Sequence, residues 1–400
     1  FKTARRLLTG ENSSYLLPEE MASLNVKRPL IVTDKGVKDA GIIQPVIDNL
    51  KSNGVENIFI YSDISAEPET HIVEACCETF EENQCDGVIA IGGGSAMDTA
   101  KAVAIYSGET RSLSELFGED KVAPRKIPLI CMPTTAGTGS EVTNISILLD
   151  VQAQIKKGIV SNELLPDVAI VAPELTLSCP EFVTAASGVD ALVHAVESYL
   201  SNFASEITKS LSIAAIRMIV DALPVAYQEP TNIAAREKMA TASLMAGLAF
   251  GNAGVGAVHA LAYPLGGRFH LSHGVSNAVM FSHVMRWNST SCPDKFIDIA
   301  IAMGADHSIS ESDAGDYVVA KIEALCVSVS IPKQLREFGI EFDDLNELAT
   351  SASAVTRLLR NNPRQLSVKD IETICQEVCY VFMEEANGSR RSILLSTRTI

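Results

Sequence analysis

The sequence predicts an α/β N-terminal domain with a Rossmann-like parallel sheet, followed by an all-α C-terminal helical domain. Three observations predict it. Short apolar runs alternate with amphipathic stretches to about residue 175, a glycine-rich turn leads from one such run into a helix, and from Pro180 onward the periodicity is helical. Residues 29–32 (PLIV), 57–61 (NIFIY), 87–91 (GVIAI) and 127–132 (IPLICM) read as strands, with helices at 43–51 and 70–82 between them. Residues 144–149, 155–160 and 168–171 read as further strands, the first two as a hairpin. Helices are expected at 183–201, 205–222 and 234–249, and then to about residue 385. The expected domains are 1–179 and 180–400, because 400 residues exceed one ordinary core. The opening FKTARRLLTG is basic and free of acids, as transit peptides are. With the residues that follow it reads better as two apolar pieces around a turn, the first a strand.

Composition narrows the function classes. Hydrophobic residues make up 47% and charged residues 20% of the chain, enough for two full cores and too apolar for disorder. No uninterrupted apolar run reaches the ~18 residues that span a bilayer. The net charge of −17 disfavours nucleic acid and anionic membrane surfaces as partners. Nine scattered cysteines, including adjacent Cys76 and Cys77, form no C-x-x-C pair and no disulfide framework. They read as small buried hydrophobes in a reducing, cytoplasmic compartment.

Two loops carry phosphate-binding chemistry. GVIAIGGGSAMDTAKA (87–102) runs from a strand through three glycines into a helix. Glycines let the backbone approach a ligand, and a helix start offers free N–H groups to an anion. Ser95 with Asp98 three places on approximates a capping box. Met97 stands where G-x-G-x-x-G has its third glycine, and the same run is also compatible with a plain strand-to-helix turn. The second loop, PTTAGTGSEVT (133–143), is dense in hydroxyls and glycine. Alone it is an ordinary polar turn; together the two loops lie where open α/β sheets bind ligands.

In the helical half, Asp190 and His194 stand four apart in the apolar segment GVDALVHAVESYL, on one helix face. His259, His270 and His273 follow downstream. One carboxylate and three imidazoles suit Fe(II) or Zn(II) and leave a position for a substrate oxygen. The same spacing also fits an internal Asp–His hydrogen bond and satisfied core histidines.

Four segments in register, GGGSAMDTAKA (92–102), PTTAGTGSEVT (133–143), GVDALVHAVESY (188–199) and GNAGVGAVHALAYPLGGRFHLSHGVSNAVM (251–280), resemble the iron-containing alcohol dehydrogenase family, in its lactaldehyde reductase and 1,3-propanediol dehydrogenase branch. The likeness runs from about residue 5 to about residue 380. It implies Asp190, His194, His259 and His273 as ligands of Fe(II), with Zn(II) as the other candidate. It also implies Gly93, Gly94 and Ser95 at the pyrophosphate, and Thr134, Thr135, Thr143 and Lys156 along the nucleotide and nicotinamide cleft. Asp34 matches an acid on the adenosine ribose, which favours NAD over NADP; Asp34 is equally a cap after its strand. The implied reaction is hydride transfer between NAD and a small neutral primary alcohol, diol or aldehyde, in a homodimer or larger homo-oligomer. Tyr263 replaces a histidine that many relatives use as a proton relay, and His270 is a second candidate beside the reacting atoms, or a polar loop residue. The tail 386–400 has no counterpart. A dehydroquinate-synthase-like lyase would need basic residues clustered near the metal, and only Arg268 lies near those segments. A zinc glycerol dehydrogenase would differ in metal and polyol preference, and a non-catalytic assembly protein would lose ligands.

Overall fold

The computed structural model describes residues 1–150, 155–269, 271–332 and 334–379. Nine strands are described: β1 (Arg6–Thr9), β2 (Pro29–Val32), β3 (Phe59–Tyr61), β4 (Gly87–Gly92), β5 (Gly118–Glu119), β6 (Leu129–Pro133), β7 (Ile145–Asp150), β8 (Ile155–Val160) and β9 (Val168–Val171). Six of them form one all-parallel sheet in the order β1-β9-β6-β4-β2-β3. Interleaved are α1 (Leu17–Ser23), α2 (Lys35–Asp39), α3 (Gln44–Ser52), α4 (Thr70–Glu82) and α5 (Gly94–Tyr106). Parallel strands need both faces covered, and the alternation within each strand does this. Leu30, Val32, Val88, Ala90, Leu129 and Cys131 pack with α4 and α5. Ile31, Ile89, Ile91, Ile130 and Met132 pack on the opposite face with α1 and α3.

The expected hairpin is present: β7 and β8 pair antiparallel, Ile145 opposite Val160 and Leu149 opposite Lys156, in a small second sheet with β5. The capping expectation at the glycine turn is corrected. Gly93, in extended backbone, is the N-cap of α5, and Ser95 lies inside the first turn. The Ser95 hydroxyl instead donates to the Ala66 carbonyl. Asp98 accepts from the Ser140 hydroxyl at 2.7 Å and the Ile147 N–H at 2.8 Å, so it ties the helix to the second loop rather than capping it.

From Glu181 the described chain is helical: α6 (Glu181–Leu200), α7 (Glu206–Gln228), α8 (Ile233–Ala253), α9 (Ala257–Phe269), α10 (His273–Ser289), α11 (Pro293–Ala302), α12 (Glu311–Ser328), α13 (Leu345–Ser353), α14 (Thr356–Leu359) and α15 (Val368–Cys379), with short 3₁₀ turns between. The second helix runs past its expected end through Pro224, because Leu223 is buried against Gly188 of α6. On length and mean hydropathy alone α7 could cross a membrane, yet Ala215, Ile216, Ile219 and Leu223 are buried in the core of the helical half. Between α8 and α9 the chain bends by 101°. Gly254 makes that bend at φ +80°, where a Cβ would also meet Asn361 Nδ2 at 2.4 Å, so only glycine fits.

The two halves meet closely where the second loop crosses α8. A Cβ on Gly247 of α8 would lie 2.8 Å from the Cα of Gly139 in the second loop, and Val142, Val171, Ala240 and Leu244 close over the junction. Gly247→Ala should therefore force the halves apart and cost about 1–3 kcal/mol, read as a lower thermal midpoint. Gly251→Ala, whose Cβ meets Thr143 Cγ2 at an ordinary 3.5 Å, should be neutral or stabilising.

Candidate metal and nucleotide site

α6 presents Asp190, His194 and Glu197 along one buried face. The bend before α9 brings His259 against them, and His273 enters from the first turn of α10. One donor atom from each of Asp190, His194, His259 and His273 lies within 4.8 Å of all the others. Asp190 Oδ1 is 3.8 Å from His259 Nε2 and 3.7 Å from His273 Nε2. A first-row ion binds imidazole nitrogen at about 2.0–2.1 Å, so donors sharing one ion stand roughly 3–4 Å apart.

The outer contacts fix which nitrogen faces inward. His194 Nδ1 lies 3.2 Å from the Gly137 carbonyl, which can only accept, so Nδ1 carries the proton. His259 Nδ1 lies 2.7 Å from Glu197 Oε2, while Glu197 Oε1 accepts the Val258 N–H at 2.6 Å. Both Nε2 lone pairs therefore face each other at 3.0 Å. Two lone pairs at that distance repel, and a cation between them removes the repulsion. Phe250 stacks on His194 with ring centroids 4.2 Å apart and closes that side.

Charge states agree with this. Burial drives the His194 imidazole down to about 4 and the His273 imidazole down to about 3. Burial would raise the Asp190 carboxyl, but the three imidazoles and the Asn277 amide together hold it below the usual carboxylate range. Neutral imidazoles around an ionised carboxylate are the protonation states a metal requires.

Facing this cluster across a cavity of about 210 Å³ are the α/β loops. Gly94, Ser95, Thr143 and Lys156 line the cavity together with His194, His259, Tyr263 and His273. Asp34, Gly93, Thr134 and Thr135 do not reach it; they lie along the strand ends that lead to it. Asp34 caps α2 through Oδ1, which accepts the Val37 N–H at 3.0 Å, while its Oδ2 faces Gly92. Both expected readings of Asp34 are thus compatible, one per oxygen. The glycines divide as well. A Cβ on Gly92 would collide with Ala96, and one on Gly94 with Thr138, whereas one on Gly93 would meet Thr135 at an ordinary 3.6 Å. Packing demands the outer two, whereas the protein neighbours leave room for a side chain at Gly93. Lys156 is held by Glu67 at 2.7 Å. His270 lies outside the described residues, as does the tail 386–400.

Several contributors carried no legible role in the sequence. Lys101, fully buried, donates to Ser140 Oγ at 2.8 Å, Thr143 Oγ1 at 3.1 Å and the Ile145 carbonyl at 2.9 Å, so it clamps the second loop to α5. Glu197 had a usable signal, an acid three residues after His194 on the same apolar helix. Asn277, four residues after His273, had the same kind of signal and donates to Asp190 at 2.7 Å. Arg268, the one basic residue noted near the histidine segments, pairs with Asp344 and Glu347 instead of lining the cavity.

A glycine-capped helix start facing a buried His₃Asp cluster defines a metal- and nucleotide-dependent class of enzyme, and comparison with known proteins bears on which one. Residues 4–173 match the model of iron-containing alcohol dehydrogenase, and residues 184–379 match that of the Fe-containing alcohol dehydrogenase family, C-terminal part. The chain belongs to the iron-containing alcohol dehydrogenase family, a family of oxidoreductases. It is 41% identical over 363 residues to long-chain-alcohol dehydrogenase 1 of Geobacillus thermodenitrificans, covering 90% of this chain and 91% of that one. To the NAD-dependent methanol dehydrogenase of Bacillus methanolicus it is 33% identical over 355 residues, 88% of this chain and 93% of the relative. The crystal structure of 1,3-propanediol oxidoreductase superposes with a TM-score of 0.91 at 35% identity, over 94% of this chain and 99% of that one.

Glu141 in the second loop is buried, and burial pushes its carboxyl up to about 7. A carboxyl raised in the folded state contributes stability that is complete below its unfolded value near 4.5 and is lost as pH rises through 7. Glu141→Gln should raise the thermal midpoint at pH 8, by roughly 2–3 kcal/mol of stability, and leave it almost unchanged at pH 4.5.

Proposed function

We propose that this chain is an NAD-dependent alcohol dehydrogenase that interconverts small primary alcohols or diols and their aldehydes, using a divalent iron ion. The observation that carries the reading is the shared cavity: the three histidines of the donor set, with Asp190 buried behind them, and the first residues of α5, Gly94 and Ser95, open onto the same space. When bound, the ion supplies Lewis acidity at a substrate oxygen, and the dinucleotide supplies the hydride acceptor.

The chain's residues do the positioning. Asp190, His194, His259 and His273 hold the ion at the helical wall, and the same donor set accepts zinc. Gly93, Gly94 and Ser95 hold the pyrophosphate at the start of α5. Asp34 accepts a hydrogen bond from the ribose 2′-hydroxyl and repels a 2′-phosphate, which selects NAD over NADP. Thr134, Thr135, Thr143 and Lys156 border the nucleotide path. Tyr263 keeps a hydroxyl where relatives carry a relay histidine, and burial raises its phenol, so it serves as a neutral hydrogen-bonding group. His270 stays part of this reading as a second group near the reacting atoms. Closure of the cleft by Phe250, Ile145 and Ile147 keeps water from the hydride path. Nine buried thiols without a disulfide fit a cytoplasmic, reducing setting. The open edge of β1 fits assembly into a homodimer or larger oligomer.

Protein stripped by chelator and resupplied anaerobically with Fe(II) or Zn(II) tests the reading. NADH formation from two- to four-carbon alcohols and diols should vanish on stripping and return with one of the ions. His259→Ala should lose both bound metal and turnover. NAD binding without turnover on any alcohol, with either ion, would contradict it.

A further inference from the structure

Arg357, on α14, lines the cavity with His259, Tyr263 and His273. Its guanidinium faces the same space as the Tyr263 hydroxyl and works against the rise that burial imposes on that phenol, and it has no carboxylate partner among the described residues. The other side-chain charges on the cavity wall are matched. Lys156 is paired with Glu67 at 2.7 Å, and Asp98 is hydrogen-bonded by Ser140 and Ile147 beside the Lys101 charge. The chain carries 49 acidic against 32 basic residues, so a cation left without an acid is unexpected unless something else supplies the anion. Guanidinium stays charged at every working pH and has five N–H donors.

Its location suggests what that anion is. Tyr263 follows His259 by four residues, about 6 Å along the helix axis, and Arg357 lines the cavity beside it. An alcohol whose oxygen is at the histidine cluster would thus bring the far end of a short carbon chain to Arg357. Resting on the dehydrogenase reading above, we infer that Arg357 is a specificity residue that binds a carboxylate at the far end of the substrate, so that short hydroxy acids and aldehyde acids are preferred over neutral alcohols. The expectation of a neutral substrate arose because Arg357 belongs to none of the motif segments. The carboxylate takes no part in the redox step: the carbinol carbon gives up a hydride to the nicotinamide, the hydroxyl proton is released, and Arg357 holds the other end. The dinucleotide pyrophosphate is a second source of anionic oxygens. Its cradle at Gly93–Ser95 is on the α/β wall, whereas Arg357 shares the helical wall with Gly254, Val255 and Tyr263.

The test compares 4-hydroxybutanoate with 1,4-butanediol on the metal-loaded enzyme, wild type and Arg357→Gln. In wild type kcat/KM should favour the hydroxy acid. In the variant it should fall about 10- to 100-fold for the hydroxy acid, almost entirely through KM. The diol should stay within about twofold, and the KM for NAD should not move. An equal fall for both substrates overturns the inference, and so does a raised KM for NAD, which would assign Arg357 to the dinucleotide phosphates. Calorimetry of butanoate against butanamide, on the metal- and NAD-loaded protein, gives an answer that does not need turnover. Tighter binding of butanoate, lost in Arg357→Gln, supports the anion site even if neither alcohol is oxidised, in which case the dehydrogenase reading fails and the anion site stands. Equal binding of the two, or binding insensitive to the substitution, overturns it.

Discussion

The structure depends on one unfavourable contact, the 3.0 Å approach of the His194 and His259 Nε2 atoms in the core of the helical half. Left to themselves the two rings would turn apart. They cannot, because the Gly137 carbonyl and the Glu197 carboxylate accept hydrogen bonds from their Nδ1–H groups and lock both orientations. Asp190, buried beside them, is a second cost of the same kind: a carboxylate without water, compensated in part by the Asn277 amide. Both costs disappear around a divalent ion. A core that preserves such an arrangement with hydrogen bonds to its outer side is organised for that ion.

That contact also couples the halves. Gly137 belongs to the second loop of the α/β half, so the ring of His194 is oriented by a backbone atom from across the cleft. The same loop is clamped to α5 through Lys101 and Asp98 and pressed on α8 at Gly139 and Gly247. Burial drives Asp98 up and Lys101 down, each resisted by the other's charge, which is the cost of placing that clamp in the interior. The cofactor path and the metal donors are thereby set against each other by one short loop. On the proposed function, this is where hydride transfer needs precision.

How much of this was legible follows from what kind of signal each part leaves. Strands such as 87–91 and 155–160 were legible because buried parallel strands and hairpins leave apolar runs bounded by turn residues. The Asp190–His194 pair was legible because helical spacing puts it on one face. The start of α5 was misread by two residues: Ser95 has the chemistry of a cap, but its hydroxyl is drawn to the Ala66 carbonyl, a partner distant in sequence. Glu197 and Asn277 stood at helical spacing from ligands and could have been found. The Gly137 carbonyl could not, since a backbone acceptor leaves no residue-type signature. Arg357 could not either, because only the packing of α14 on α9 brings it to Tyr263.

The central claim is that the four donors share one ion. X-ray absorption at the iron edge of Fe(II)-loaded protein tests it most directly, with wild type set against His259→Ala. The account predicts about one iron per chain in wild type, with a multiple-scattering pattern from three imidazoles and further light-atom scatterers at about 2.0–2.2 Å, and little or no bound iron in the variant. Iron bound without imidazole scattering, or an unchanged spectrum in His259→Ala, would contradict it.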